Sequence, residues 1–292
     1  MSLFKKRNNT YKMTNPCCIN HNQKTIFSSN DYMWKICENC DLIYQLSKSD
    51  RTNKVKEVLF DNFEEPDENG RAEFLSNLNK LKKYSELSNL TFVDFGCGDG
   101  SYLKLAEEYF KKVQGMEPNK FLKEKAIKKN LDILSDNFLD DNKDYYDVIF
   151  TRNTFEYVNG FSITLKKLMH RLNYNGYFMW RDKFYDHYPK NYSSRDFSDG
   201  FNSLPTKNAI RHHLSTNQIK ILESRFYFDK SFLIIGQKKK EFKNIFKKKI
   251  NLNKIFYNNY FVCNLIFHFT KVIHFIYIII RKFKNSILEK TK

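Results

Sequence analysis

The segment TFVDFGCGDG, Thr91–Gly100, gives the clearest indication of the fold of this chain. An apolar strand leads into three glycines at alternate positions, Gly96, Gly98 and Gly100, and a helical pattern begins directly afterwards. Glycine lets the backbone turn sharply and approach a ligand closely, because no Cβ intervenes. The N-terminus of the following helix offers free N–H groups and the positive end of a dipole. The stretch therefore predicts a nucleotide-cofactor cradle at the carboxyl end of a first strand.

Two acidic residues bear on which cofactor the cradle holds. The dinucleotide fingerprint is G-x-G-x-x-G, whereas this chain has G-x-G-x-G preceded by Asp94. A carboxylate at Asp94 would repel a pyrophosphate, but it suits the ammonium group of a methionine moiety. Glu117 ends the next apolar strand, 112–116, and can accept hydrogen bonds from both hydroxyls of a ribose. A nicotinamide enzyme uses the same device, so Glu117 indicates an adenosine ligand without choosing between the cofactors.

The cradle resembles motif I of the class I S-adenosylmethionine-dependent methyltransferases, and the resemblance continues in order over residues 86–237. It implies an α/β fold with a Rossmann-like sheet and S-adenosyl-L-methionine as the cofactor. In the family, the residues after a third strand, here 131–135, contact the adenine. We interpret Cys97 as a small apolar filler of the loop and not as a nucleophile. The cofactor-binding set that the resemblance implies is Asp94, Gly96, Cys97, Gly98, Gly100, Glu117, Pro118, Asp136, Asn137, Phe138, Arg152 and Asn153.

The second half of the domain follows the same family pattern with one departure. Apolar segments predict a fourth strand at 146–150 and a fifth at 177–180, separated by a helix and a turn at 173–176. Where the family has Glu-His after the fourth strand, this chain has Glu156-Tyr157. Tyrosine titrates near ~10, so Tyr157 cannot reproduce a catalytic histidine at neutral pH. The two residues either take part in catalysis or only begin a helix and line the pocket.

A general base is expected beyond the fourth and fifth strands. Methyl transfer from a sulfonium mainly requires alignment and exclusion of water, but a neutral hydroxyl acceptor also needs a base. His187 has a suitable intrinsic pKa, and a surface histidine is the alternative interpretation. We predict His187, Glu156 and Tyr157 as the catalytic residues, and His212 and His213 are weaker candidates. The candidate bases after these strands are Glu156, Tyr157, Arg181, Asp182, Asp186 and His187.

Cysteines near the start of the chain indicate a metal site. Cys18-x₂-His21 and Cys37-x₂-Cys40 are two pairs about 15 residues apart, which is zinc-ribbon spacing, and Cys17 is an alternate ligand. The second pair resembles a knuckle of the N-terminal zinc modules in bacterial sugar and polysaccharide methyltransferases. In this chain an aspartate follows that pair where glycine is usual. Four protein ligands predict a structural Zn²⁺, and reduced cysteines without metal are the alternative.

The positive charge of the chain is concentrated at its end. The net charge is +17, of which residues 238–292 carry +12 and residues 1–237 carry +5. This distribution makes nucleic acid a less favoured partner of the catalytic domain. Residues 255–280 are mostly aromatic and aliphatic, have one formal charge at Lys271 and are flanked by basic runs. They predict an amphipathic helix on an anionic membrane surface; a membrane span, or a helix packed on the domain or on a second subunit, are the alternatives.

The chain therefore divides into four predicted segments. These are a zinc-ribbon-like module at 1–50, a helical linker or lid at 51–85, the methyltransferase domain at 86–237 and the basic helical tail at 238–292. The first 20 residues are polar and lack the apolar core of a secretory signal. We expect a cytoplasmic protein that is peripheral at the inner face of the plasma membrane.

The layout of a zinc module before a methyltransferase domain resembles enzymes that methylate sugars of surface polysaccharides or secondary metabolites. It implies a glycan, or a nucleotide- or lipid-linked sugar, as the acceptor. One alternative is a ribosomal or transfer RNA base methyltransferase, although residues 151–157, TRNTFEY, differ from the Asn-Pro-Pro-Tyr-type motif that grips a flipped base. The other is a non-catalytic, membrane-associated binding module with a decayed methyltransferase fold.

Overall fold

The computed structural model describes residues 23–28, 32–47, 68–140, 144–185, 201–226 and 231–241. Its strands are β1 (Gln23–Ser28), β2 (Tyr32–Cys37), β3 (Ile43–Ser47), β4 (Thr91–Phe95), β5 (Lys112–Met116), β6 (Tyr146–Arg152), β7 (Leu172–Lys183), β8 (Ser203–Leu204), β9 (Ile219–Phe226) and β10 (Ser231–Lys238). Its α-helices are α1 (Glu68–Leu81), α2 (Ser101–Ala106), α3 (Lys120–Lys128), α4 (Phe161–His170) and α5 (Lys207–Thr216), and a 3-10 helix spans Leu87–Asn89.

The larger sheet has six strands in the order β5-β4-β6-β7-β10-β9. The first four are parallel, and β10 and β9 are each antiparallel to their neighbours. The chain passes from β4 to β5 on one side of β4 and then returns to β6 on the other side. Such a reversal opens a crevice at the carboxyl end of the central strand, where α/β proteins bind ligands. The predicted α/β fold with a Rossmann-like sheet is confirmed.

Side chains along each strand alternate between the two faces of this sheet, and each face has its own apolar cluster. Phe92 and Phe150 face one apolar cluster, which includes side chains from α1, α2 and α3. Val93 and Ile149 face the other cluster, which includes side chains from α4, α5 and β3. Successive side chains of a strand point to opposite faces, so a strand covered on both sides is apolar throughout. This accounts for the continuous apolar runs before the glycine loop and after residue 145.

Helix α1 lies within the range predicted as a linker or lid. Phe74, Leu78 and Leu81 recur at helical spacing and are fully buried against the sheet. The Phe74 ring lies 5.2 Å from that of Phe150 and 5.1 Å from that of Tyr102. The helix is thus a part of the layer that covers the sheet, and it brings polar side chains such as Glu73 to the carboxyl ends of β6 and β7.

Two predicted elements differ from the structure. The expected third strand at 131–135 is reduced to a single bridge between Gly115 and Ile133. The expected turn at 173–176 does not separate a helix from the fifth strand, because Leu172 already pairs with Tyr146. The register then shifts, and Asn175 takes a left-handed conformation with a φ of 63°. The turn residues are therefore an irregularity inside β7.

The smaller sheet is antiparallel and has the order β1-β2-β3-β8. Strand β8 comes from the part of the chain after β7, and Leu204 pairs with Ile43. The Ser203 hydroxyl donates to the Phe155 carbonyl at 2.8 Å, which connects this sheet to the loop after β6.

The predicted tail helix falls outside the described residues. Within the described part of the chain, no helix is both long and apolar enough to cross a bilayer.

Candidate active site

The glycine loop after β4 has the backbone that the sequence predicts. Gly96, Gly98 and Gly100 have φ angles of 83°, 59° and 80°, a region that side chains rarely adopt. A Cβ on Gly96 would lie 2.3 Å from the Thr154 hydroxyl oxygen. The amides of Gly96 and Cys97 donate to the Met116 carbonyl, so the loop folds back over the end of β5. Glycine is required at position 96 for both conformation and space.

Asp94 is buried at the carboxyl end of β4, and its exposed fraction is 2%. No described residue donates a hydrogen bond to its Oδ1 atom. Burial and the neighbouring Glu117 carboxylate raise the pKa of Asp94 well above its ordinary value, and Arg152 opposes that change. A buried acceptor without a donor costs about 1–3 kcal/mol. The methionine ammonium of S-adenosyl-L-methionine would supply the missing donor and a compensating charge, so the residue fits that cofactor.

Glu117 joins the end of β5 to the glycine loop. Its Oε2 atom accepts from the Gly98 amide at 2.9 Å, and its Oε1 atom accepts from the Asn119 amide at 2.8 Å. Burial raises the pKa of this carboxyl, and the two backbone donors partly offset the rise. A carboxylate oxygen has more than one acceptor position, so each oxygen can still accept from a ribose hydroxyl. Glu117 fits the ribose-binding role.

The other predicted cofactor residues lie in different environments. Asp136 and Asn137 are exposed, and Asp136 pairs with Lys123 at 2.8 Å. Phe138 is buried, and its ring makes an edge contact with Tyr146 at 5.8 Å. Pro118 is exposed beside Glu117. The adenine contacts implied for these residues remain predictions.

Two more loop residues have structural partners. Cys97 is buried, and burial raises the pKa of its thiol, as expected of an apolar filler. The Asp99 carboxylate accepts from the Ser101 amide at 3.1 Å and pairs with Lys129 at 2.6 Å. Asp99 therefore stabilises the start of helix α2, whose N-cap residue is Gly100.

Arg152 and Asn153 lie at the end of β6. A nitrogen of the Arg152 guanidinium donates to the Tyr102 hydroxyl, and another donates to Glu73 at 3.3 Å. Asn153 is exposed with a φ of 49°, and its amide donates to the Arg181 carbonyl at 3.0 Å. The contact of Arg152 with Glu73 was not foreseen, because nothing in the sequence relates a helix residue to a strand end that lies 79 positions later.

Glu156, which follows β6, and Asp182, near the carboxyl end of β7, form a buried pair of carboxyl groups. Their exposed fractions are 3% and 0%, and the two side chains share a hydrogen bond. Burial and the charge of Asp182 raise the pKa of Glu156 to about 8. Burial raises the pKa of Asp182 to about 6, although backbone amides and the Trp180 indole stabilise its charged form. Glu156 also accepts from the Tyr185 hydroxyl at 3.2 Å, a partner that the sequence did not indicate.

The remaining candidate bases differ in burial and in the direction of their pKa shifts. Tyr157 packs on Phe201 with ring centroids 5.3 Å apart, and burial raises its pKa, so it is a neutral phenol at pH 7. His213 is buried, and burial lowers its pKa to about 4. Burial also lowers the pKa of His212. Asp186 and His187 lie outside the described residues, so the role of His187 remains a prediction.

Part of the predicted zinc module is visible. Cys37 and Cys40 are buried on a tight turn in which the Asp41 amide donates to the Cys37 carbonyl at 2.8 Å. Asp41 has a φ of 62°, which explains why glycine is usual at this position. The Cys40 sulfur lies 3.6 Å from Nε2 of His213. Among the described residues no group of three His, Cys, Asp or Glu side chains is arranged to hold a metal, and Cys17, Cys18 and His21 lie outside that part of the chain.

The chain belongs to a family of methyltransferase domains, whose family model matches residues 35–223. The expectation of a methyltransferase domain is confirmed by this match. No curated protein sequence matches this chain.

Several solved structures are similar to the chain at low identity. An S-adenosylmethionine-dependent methyltransferase from Mesorhizobium loti is 15% identical and has a TM-score of 0.46, with 56% of this chain and 98% of that chain covered. Geranyl diphosphate C-methyltransferase from Streptomyces coelicolor is 13% identical, with a TM-score of 0.46 and coverage of 56% and 78%. Magnesium protoporphyrin IX methyltransferase from Synechocystis is 13% identical, with a TM-score of 0.48 and coverage of 64% and 94%. The family assignment rests on the matched residues 35–223 and not on these similarities.

The unsatisfied oxygen of Asp94 leads to a binding prediction. We expect Asp94→Asn to weaken binding of S-adenosylhomocysteine about tenfold, because a charge-assisted hydrogen bond to the ligand ammonium is lost. Isothermal titration calorimetry measures the effect. The matched control is Asp99→Asn, which lies in the same loop but bonds to Ser101 and Lys129; it should lower thermal stability and keep the wild-type affinity. Equal affinities of Asp94→Asn and wild type would contradict the assigned role.

The raised pKa of Glu156 leads to a prediction about stability. The folded chain holds a proton on Glu156 that the unfolded chain releases, so this carboxyl makes the protein less stable as the pH rises from 4.5 to about 8. Glu156→Gln cannot ionise and still accepts from Tyr185. We expect its unfolding free energy, measured with denaturant, to fall less across that pH range than that of wild type. Glu107→Gln, at an exposed carboxylate, should keep the wild-type slope; an equally steep slope in Glu156→Gln would refute the interpretation.

Proposed function

We propose that this enzyme transfers a methyl group from S-adenosyl-L-methionine to a hydroxyl of a sugar or sugar-linked group in surface polysaccharide or glycan biosynthesis. The observation that carries the proposal is the buried pair Glu156–Asp182 at the carboxyl edge of the sheet, beside the cradle. A sugar hydroxyl is neutral and needs a base as its oxygen attacks. A carboxyl group with a pKa near neutrality suits that task.

Each residue has a distinct task in this proposal. Bound S-adenosyl-L-methionine supplies an electrophilic methyl group on its sulfonium. Glu117 holds the ribose, and Asp94 accepts from the ammonium. The ionised form of Glu156, whose population grows as the pH rises toward about 8, takes the proton of the acceptor hydroxyl, and the negative charge of Asp182 increases the basicity of Glu156. Tyr157 lines the pocket as a neutral phenol. His187 is the alternative base.

The acceptor and the location are proposed together. The resemblance of the N-terminal cysteine pattern to sugar and polysaccharide methyltransferases supports a glycan, or a nucleotide- or lipid-linked sugar. The basic, aromatic-rich segment 238–292 would hold the enzyme at the inner face of the plasma membrane, where lipid-linked glycans are assembled. The chain is then cytoplasmic and peripheral, and a ribosomal or transfer RNA base is the competing acceptor.

An acceptor assay tests this proposal. The purified enzyme with methyl-labelled S-adenosyl-L-methionine is incubated separately with extracted lipid-linked glycans, nucleotide sugars and bulk RNA. We expect label in one of the two sugar fractions, and we expect Glu156→Gln to transfer about a hundredfold less, since a general base contributes about 10²–10⁴ in rate. Label in RNA alone would establish the competing function. Binding of S-adenosylhomocysteine without transfer to any fraction would support a non-catalytic module.

We also propose a structural Zn²⁺ held by Cys18, His21, Cys37 and Cys40, with Cys17 as an alternate ligand. The backbone turn at Cys37–Cys40 supports it, because such turns place two sulfurs for tetrahedral coordination. Both cysteines are packed in the core beneath the larger sheet together with Leu42 and Tyr44. A metal here would stabilise the contact between the N-terminal strands and the catalytic domain.

Metal analysis tests the zinc proposal. We expect the purified chain to contain stoichiometric zinc, and Cys37→Ser or Cys40→Ser to lose it together with thermal stability, because a closed site contributes folding energy. The buried Cys97→Ser is the matched control and should keep the metal. The site would be ruled out if the purified wild-type protein contains no zinc and a chelator leaves its thermal stability unchanged.

A further inference from the structure

Two arginine side chains lie next to each other at the carboxyl edge of the larger sheet. Arg152 at the end of β6 is the register partner of Arg181 in β7, so the two side chains leave the same face. Both are largely buried, with side-chain exposures of 19% and 12%. The Arg152 guanidinium also lies over the Tyr102 ring, 4.8 Å from its centroid. Strands and ring hold both guanidinium groups in position before any ligand arrives.

Glu73 of helix α1 reaches both arginines. Arg181 donates from Nε to one carboxylate oxygen of Glu73 at 3.0 Å, and Arg152 donates to the other oxygen at 3.3 Å. One carboxylate thus bridges two cations, in the way that a bidentate anionic ligand would. The Glu73 side chain is 25% exposed, more than either arginine.

The position of this trio relates it to the proposed reaction. Glu117 and the glycine loop would hold the adenosine of a bound cofactor near the ends of β5 and β4. Arg152 ends the next strand, β6, and Arg181 lies near the carboxyl end of β7, where the far end of the cofactor and the acceptor would meet. We propose that Arg152 and Arg181 form a subsite for the anionic oxygens of a ligand carboxylate or phosphate, and that Glu73 fills this subsite until the ligand enters. This inference rests on the proposed function.

The energetics favour exchange of Glu73 for a ligand. A partly buried ion pair contributes little net stability, because the loss of water around both partners offsets much of their attraction. A diphosphate has more negative charge than one carboxylate, and its oxygens match the planar fork of arginine. Glu73 can therefore neutralise the arginines in the free enzyme and leave at small net cost when the ligand oxygens take its place.

Two ligands of the proposed reaction contain the required chemistry. One is the diphosphate of a nucleotide- or lipid-linked sugar acceptor, and the other is the α-carboxylate of the cofactor. Calorimetry on the full chain distinguishes them in two arms. The first compares S-adenosylhomocysteine with 5′-methylthioadenosine, which has the same nucleoside and sulfur but no amino-acid tail. The second titrates inorganic pyrophosphate into the chain saturated with S-adenosylhomocysteine.

The variants are Glu73→Gln, which removes the competing carboxylate, and Arg181→Gln, which removes one cation. The affected ligand is S-adenosylhomocysteine or pyrophosphate, whichever occupies the subsite. We expect Glu73→Gln to bind it about threefold to fivefold more tightly than wild type, and Arg181→Gln to bind it about tenfold or more weakly. Arg181→Lys keeps the positive charge but loses the planar guanidinium, so it should weaken binding of that ligand less than Arg181→Gln does. If Arg181→Gln does not fold, Arg181→Lys tests the subsite in its place. Glu107→Gln makes the same charge change at an exposed pair with Lys104 and is the matched control.

Each outcome decides the inference. Effects on S-adenosylhomocysteine but not on 5′-methylthioadenosine assign the subsite to the cofactor carboxylate, and effects on pyrophosphate assign it to an acceptor phosphate. The inference is overturned if all three ligands bind the variants as they bind wild type, or if Glu107→Gln has the same effects. If wild type does not bind S-adenosylhomocysteine, the proposed function is overturned instead. Titration of pyrophosphate into the chain without S-adenosylhomocysteine would then still test the subsite.

Discussion

The candidate site depends on the hydrogen bond from the Gly98 amide to the Glu117 carboxylate. This bond ties the loop after β4 to the end of β5, two elements that meet only because their strands are parallel neighbours. The glycines let the backbone approach Glu117 closely, and in return the Gly98 and Asn119 amides orient the carboxylate. The contact that shapes the loop therefore also positions the residue that would hold the ribose, so folding and binding use the same geometry.

Aspartates at the two ends of the larger sheet have pKa values that are shifted in opposite directions. Asp147, near the amino ends, accepts from the amide and hydroxyl of Thr91 and from Asn173, and these hydrogen bonds outweigh burial and lower its pKa. Asp94, at the carboxyl end, is more deeply buried with one oxygen unsatisfied among the described residues, and its pKa is raised. Buried carboxylates are costly unless paired. Asp94, Glu156 and Asp182 are buried carboxyl groups with raised pKa values at the carboxyl edge, which makes that edge the candidate site.

Much of this architecture was predictable because it is local. The strand at 112–116, the helix after the glycine loop and the acidic residue at the end of β5 each follow from a short pattern. The prediction of a third strand was wrong, because only a single bridge to Gly115 forms where a full strand pairing was expected. Strand pairing depends on two segments and cannot be read from one. The bridge of Glu73 to two strand ends, and the partnership of Glu156 with Asp182 and Tyr185, were likewise beyond sequence reasoning. They join residues that are far apart in the chain.

Short sequence patterns were enough to predict the fold class, the glycine cradle and the identity of the residues around it, because spacing and residue type act within a few positions of the chain. Tertiary structure decided which of those residues meet. The register of β6 against β7 places Arg152 beside Arg181, and the packing of α1 through Phe74 brings Glu73 to them. Such contacts arise from the alignment of distant segments around a shared core, and no local pattern encodes that alignment.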